Sequence, residues 1–183
     1  MALMETPLCN FGWKAPDFSL PATDEKTYSL EDIRGTKGTL VMFICNHCPY
    51  VVGIKERLVS EMKILQEAGI GVIAINANDA TSYPQDSFAN MKVFSQENSF
   101  TFPYAYDETQ ETAKAYGAIC TPDFFGFNSD LELQYRGRLD SSGKNSAGPE
   151  TKRELVEAML EIAKTGRGPE NQIPSMGCSL KWL

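Results

Sequence analysis

The chain has 183 residues, a net charge of −7 at neutral pH and 42% hydrophobic residues, enough for one domain with a proper core. The acidic balance argues against nucleic acid or an anionic membrane as partner, because both require a basic face. No stretch approaches the roughly 18 apolar residues of a membrane span, and residues 1–10 lack the basic and apolar regions of a secretory leader, so a cytoplasmic protein is expected.

In chain order, residues 1–10 are expected to fray, and 12–21 form an extended segment punctuated by Pro16 and Pro21. Ser29-Leu30-Glu31-Asp32 reads as a capped helical turn stopped at Gly35. Residues 40–44 are an unbroken apolar run, the pattern of a central parallel strand covered on both faces. Val51, Ile54, Leu58, Met62 and Leu65 then recur at helical spacing, which predicts a helix over 50–68 ended by Gly69. Residues 71–76 are a second buried strand, so strand, helix and strand make one right-handed crossover. After a polar loop, Pro84 opens a helix with Phe88, Met91 and Phe94 inward. Asp107 and Gln110 suggest a capping box for a short helix that ends at Gly117. Residues 124–127 and 131–136 flank the turn triplet Asn128-Ser129-Asp130 and predict a hairpin. Residues 141–148 read as a mobile polar loop, and Pro149 as the start of a last helix with Leu155, Met159 and Ile162 inward. The end of the chain is too apolar for a free tail and is expected to dock. This order is the plan of a thioredoxin fold in the α/β class. A single domain spanning 1–183 is expected, with a core over about 12–165, an N-terminal extension, an inserted helix between Asn76 and Gly117, and a docking tail over 166–183.

The five cysteines, Cys9, Cys45, Cys48, Cys120 and Cys178, are odd in number and widely spread, which does not suit a disulfide framework. Cys45-Asn46-His47-Cys48 lies between the first buried strand and the helix. A thiol at that place faces unpaired backbone N–H groups, which favour the thiolate, the nucleophilic form. The pattern therefore points to disulfide exchange, with Cys45 at the exposed mouth as the attacking thiol and Cys48, one turn in, as the resolving one. His47 is the only histidine; a cationic imidazole beside the thiolate lowers a cysteine pKa further, and a solvated turn residue is the equal alternative. Thr121-Pro122 precedes the hairpin, at a place compatible with a cis bond beside the thiols. Cys120 reads as a buried small residue and Cys178, in the tail, as a candidate further exchange partner set against burial in an apolar dock. Arg138 is a candidate to lower a thiol pKa or hold a peroxide oxygen, against the commoner solvated role. Zinc needs two more ligands, and Cys120 and Cys178 do not form a second Cys-x-x-Cys. No metal and no cofactor is therefore expected.

The pieces Ala15-Pro16-Asp17-Phe18, Cys45-Asn46-His47-Cys48-Pro49-Tyr50, Cys120-Thr121-Pro122-Asp123-Phe124-Phe125, Tyr135-Arg136-Gly137-Arg138 and Pro174-Ser175-Met176-Gly177-Cys178 resemble the peroxiredoxin-like branch of the alkyl hydroperoxide reductase and thiol-specific antioxidant family. The resemblance implies a thioredoxin fold and thiol-based redox activity. It places Cys48 at the peroxide-reacting position, Cys45 where that family carries Thr or Ser, and Val41 where it carries proline. Thr121-Pro122 is similar to the cis-proline loop of thioredoxin-type oxidoreductases. The expected function is thiol–disulfide exchange through Cys45 and Cys48, with a thiol or disulfide, on a protein or a small molecule, as partner. The rivals are a thiol peroxidase acting on hydroperoxide with Cys48 attacking and Cys45 resolving, and a binding module in which the pair is structural or holds a metal. The oligomeric state is left open.

Overall fold

The computed structural model describes residues 2–183. Its elements in chain order are β1 (Leu3–Glu5), β2 (Ser19–Pro21), β3 (Thr27–Ser29), α1 (Leu30–Ile33), β4 (Gly38–Phe43), α2 (Pro49–Val52), α3 (Lys55–Glu67) and β5 (Ile70–Asn76). A 3-10 turn (Pro84–Asp86) leads to α4 (Phe88–Glu97), β6 (Tyr104–Tyr106), α5 (Glu111–Tyr116), β7 (Cys120–Thr121), β8 (Asp123–Phe127), β9 (Leu133–Tyr135), α6 (Glu154–Thr165) and β10 (Met176–Ser179).

The main sheet runs β6-β5-β4-β8-β9. β4 and β5 are parallel neighbours, with Leu40 opposite Val72, and β8 lies antiparallel on the other side of β4. Leu40, Met42 and Ile44 pack with Leu58, Met62 and Leu65 of α3 and Leu155, Met159 and Ile162 of α6. Val41 and Phe43 face the opposite layer, with Leu30 and Ile33 of α1 and Ala113 and Tyr116 of α5. Both faces of β4 are apolar because both are covered, which is why no alternation shows in its sequence. The arrangement is the thioredoxin fold, with α4 inserted between β5 and β6.

Several boundaries differ from the sequence expectation. The helix expected over 50–68 is two pieces. A Cβ on Gly53, which lies between them, would sit 2.4 Å from the Lys144 carbonyl oxygen. The 141–148 loop passes that close, and it is pinned rather than mobile. The Arg57 guanidinium donates to the Asp140 carboxylate at 2.7 and 3.2 Å and to the carbonyls of Gly143 and Asn145 at 2.7 and 3.0 Å. α6 begins at Glu154, not Pro149, because the N–H groups of Thr151 and Lys152 bond back to Gly148 and Ser141. Pro84 opens only the 3-10 turn; α4 is capped by Ser87, whose hydroxyl accepts the Asn90 N–H at 3.2 Å. Gln110 makes no capping box. Its side-chain amide donates to the carbonyls of Ala77 and Lys181, both at 2.8 Å, and so ties the tail down. Residues 3–5 do not fray: β1 pairs with β10, which pairs with β7, in a second sheet of order β1-β10-β7.

Candidate active site

β4 delivers the chain to the thiol turn. The Ile44 N–H still donates to Ile75 at 3.0 Å, so strand geometry lasts to the residue before Cys45. Cys48 is the N-cap residue of α2, and its carbonyl accepts the N–H groups of Val51 and Val52, both at 2.9 Å. Pro49 fits the first helical position, where its missing N–H would have no partner anyway. The Thr121–Pro122 peptide is cis. Thr121 touches both sulfurs: its hydroxyl is 3.4 Å from Cys45 Sγ and its carbonyl oxygen 3.3 Å from Cys48 Sγ. Cys45, Cys48, Thr121 and Pro122, predicted from separate parts of the chain, therefore lie together.

Cys45 is not the exposed sulfur that the sequence suggested; Cys45 and Cys48 are each only 1% exposed. The 84–86 turn folds over the Cys45 side. Asn46 donates its backbone N–H to Asp86 at 2.8 Å and its amide to the Gln85 carbonyl at 2.9 Å, while the Tyr104 hydroxyl donates to Asn46 Oδ1 at 2.8 Å. Asp86 is 0% exposed and also accepts from the Asn78 amide at 2.8 Å. No motif marks Asp86 in the sequence; it stands in a polar loop far from the cysteines and is brought in only by the fold.

His47 attends this carboxylate rather than a thiolate. Its Nδ1 is 2.7 Å from Asp86 Oδ2, but the N–H is not aimed along that line, so the contact is an ion pair when the imidazole is protonated rather than a well-directed hydrogen bond. The ring stacks on Tyr83, with centroids 5.9 Å apart. The ligand-type atoms of Cys45, His47 and Asp86 lie within 4.8 Å of one another. The Asp86 oxygens are already occupied by Asn46, Asn78 and His47, which accounts for the cluster by hydrogen bonding and charge alone.

The proton distribution between the sulfurs runs opposite to the sequence expectation. Cys45 is held well above the ordinary thiol range, first by donating its S–H to Cys48, then by burial and by the Asp86 charge. Cys48 is lowered to about 4, first by accepting from Cys45, then from the side chain and backbone N–H of Cys178, with Thr121 adding a smaller share. Burial and the Thr121 carbonyl favour the thiol form of Cys48, and the donors outweigh them.

Cys178 lies directly opposite Thr121 in the β7–β10 register and is buried. Burial, and then the neighbouring Cys48, push it up to about 11. Cys120 points away, is fully buried, and is raised far above the usual range by burial and then by Asp123. Cys9 is half-buried and pushed up to about 11, chiefly by burial.

Neither arginine of the Tyr135-Arg136-Gly137-Arg138 piece bonds to a sulfur. Arg136 is buried, pairs with Asp123 at 2.9 and 3.2 Å, and lies 4.4 Å over the Phe125 ring. Arg138 grips the Glu154 carboxylate at 2.7 to 3.0 Å. Burial and these partners, invisible in the sequence, remove both from the roles considered for them. Arg138 does line a cavity of about 230 Å³, together with Tyr50, Pro122, Ser175 and Met176.

The sequence profile described as "AhpC/TSA family" matches residues 11–136, which span the thiol turn, the Thr121–Pro122 loop and most of the main sheet. The chain belongs to that family. Among solved structures, this AhpC/TSA member is similar to an uncharacterized conserved protein from Geobacillus kaustophilus. The two are 45% identical with a TM-score of 0.93, over 100% of this chain and 97% of the other. A hypothetical protein from Sinorhizobium meliloti is 33% identical with a TM-score of 0.89, over 98% and 97%. A thiol:disulfide interchange protein of the thioredoxin family from Chlorobium tepidum shares the fold at 20% identity and a TM-score of 0.61, over 82% and 94%. No curated protein matches the chain. Family and fold together support a thioredoxin-like redox role. Among the described residues, no helix is long and apolar enough to cross a membrane.

Proposed function

We propose that this protein is a thiol–disulfide oxidoreductase in which Cys48 attacks and Cys45 resolves. The observation that supports the reading is the arrangement around Thr121, whose hydroxyl lies 3.4 Å from Cys45 Sγ and whose carbonyl oxygen lies 3.3 Å from Cys48 Sγ beside a cis proline, with the Cys48 thiol held below and the Cys45 thiol above the ordinary range. The Cys48 thiolate attacks one sulfur of a disulfide substrate, and the other substrate sulfur leaves as a thiolate. Cys45 then attacks Cys48, its proton passing to the second departing thiolate. The Cys45–Cys48 bond forms as the mixed disulfide breaks, and the substrate leaves as one thiolate and one thiol. The cytoplasm is the compartment we propose, on the odd number and wide spread of the five cysteines in the sequence. Thiols and disulfides are the partners, and no cofactor enters the step.

A low-pKa Cys48 stabilises the reduced form and makes the disulfide oxidising. The expected reduction potential lies above the roughly −270 mV of thioredoxin, toward the roughly −120 mV of DsbA. The decisive test is the first release of thiol from an aromatic disulfide reagent. Cys45→Ser should keep that burst and Cys48→Ser should slow it, by about thirtyfold at neutral pH, because an ordinary thiol is only a few per cent ionised there. A burst kept by Cys48→Ser and lost by Cys45→Ser would return the roles to those the sequence suggested.

Peroxide reduction is the second reading, favoured by an acidic Cys48 at the position where the family resemblance places the peroxide-reacting thiol. With Val41 and Cys45 in place of the proline and the hydroxyl, and both arginines engaged elsewhere, disulfide exchange is the better supported. Hydroperoxide consumption that outpaces disulfide reduction would reverse that order.

A further inference from the structure

The edge of β7 is where an extended substrate would pair beside the two sulfurs, since Thr121 contacts both. That edge is taken by the chain itself. β10 pairs antiparallel with β7, Cys178 opposite Thr121 and Ser179 opposite Cys120. The approach is close: a Cβ on Gly177 would fall 2.0 Å from the Thr121 carbonyl oxygen, so only glycine lets the strand seat there. α2 packs against β10 as well, and Cys45, Cys48, Val51 and Cys178 share one buried cluster. The seat that a substrate cysteine would occupy therefore already holds a cysteine.

We infer that Cys178 is a third redox thiol, a built-in exchange partner that competes with Cys45 for Cys48. This rests on the exchange reading above. When Cys48 carries a mixed disulfide with substrate, the Cys178 thiolate attacks the Cys48 sulfur. The Cys48–Cys178 bond forms, the Cys48–substrate bond breaks, and the substrate sulfur leaves as a thiolate that takes up the proton Cys178 gave up. The enzyme has lost two electrons and the substrate has gained them, as in resolution by Cys45. The product differs in connectivity: the new bond fastens β10, which already covers the β7 edge, to the thiol turn, and leaves Cys45 as a free thiol.

The probe is glutathione disulfide. The protein is quenched in acid, alkylated and cleaved at Lys and Arg, which leaves Cys45 and Cys48 on peptide 38–55 and Cys178 on peptide 168–181. Cys45→Ser should yield these two peptides joined, with only a transient glutathione adduct on Cys48. Cys45→Ser with Cys178→Ser should hold that adduct. A lasting adduct in the single variant, with Cys178 still alkylated, would overturn the third-thiol proposal and leave the exchange reading intact. Absence of any adduct on Cys48 in the double variant would instead sink the exchange reading. Gly177→Ala, placed on the Cys45→Ser background, keeps every remaining sulfur but displaces β10. It should slow joining about a hundredfold, the scale expected for a shift of about 1 Å in reacting groups. Joining at an unchanged rate would show that β10 does not place Cys178 and would overturn the proposal.

Discussion

The two sides of the thiol turn are built differently. Cys45 faces a buried carboxylate, Asp86, under a turn closed by Asn46 and Tyr104. Cys48 faces donors, the Cys45 thiol and the Cys178 thiol and N–H, on the edge made by β7 and β10. Two chemically identical groups three residues apart are thus shifted in opposite directions, Cys45 toward the thiol and Cys48 toward the thiolate. The order of cysteines in a Cys-x-x-Cys does not set their acidity; what faces each sulfur does. Here those neighbours come from positions 86, 121 and 178.

The largest expected effect comes from removing the shared proton. In Cys45→Ala the chief donor to Cys48 is gone, and its pKa should climb from about 4. Alkylation rate against pH reads the shift directly; an unmoved profile would mean that Cys178 and Thr121 hold the thiolate unaided. The sign for stability follows. A thiol whose folded pKa is depressed adds stability that is complete above the unfolded thiol's pKa and is lost as pH falls through the folded value. Cys45→Ala moves that lower limit upward. Thermal unfolding should therefore show a smaller total loss on acidification below about pH 8 than the parent protein, relative to each at alkaline pH, because the window over which stability is lost ends sooner.

A smaller effect is expected from the carboxylate. Asp86→Asn removes the charge that holds Cys45 up, so the Cys45 pKa should fall. The asparagine keeps an accepting oxygen but brings donors against those of Asn46 and Asn78, at a cost of about 1–3 kcal/mol in denaturant unfolding. If Cys45 titrates as before, burial and Cys48 alone explain it, and the contrast between the two sides loses its electrostatic half.

Arg138→Ala should do least. Its bridge to Glu154 is partly exposed, and such pairs are worth about 0–1 kcal/mol. The pH profile of Cys48 alkylation should not move. A shift would return Arg138 to the active-site role that its sequence position suggested.

How much of this was readable beforehand depends on where the information sits in the chain. β4 and β5 announce themselves, because a strand covered on both faces must be apolar at every position. The thiol turn was readable because strand, cysteines and Pro49 are contiguous. The break at Gly53 was not, since its cause is the Lys144 backbone passing by, a contact across the fold. Gly53 itself, in the middle of a helical pattern, was the one local signal. The start of α6 was misplaced because Pro149 permits a helix without requiring one, and N–H groups there are spent on the 141–148 loop. Asp86 left no trace at all. A carboxylate after a proline turn is ordinary, and only β5, β6 and the Asn46 side chain make it a neighbour of Cys45. The acidity of the pair was therefore out of reach, while the pair itself was not.

The β1-β10-β7 sheet carries a consequence for biosynthesis. The chain is made from its amino end, so β1, the thiol turn and β7 all leave the ribosome before β10. The thiol turn and β7 exist for most of synthesis without the strand that covers them. During that interval the β7 edge is unpaired, the condition under which edges recruit other chains. Enclosure of the redox centre thus waits on the synthesis of β10.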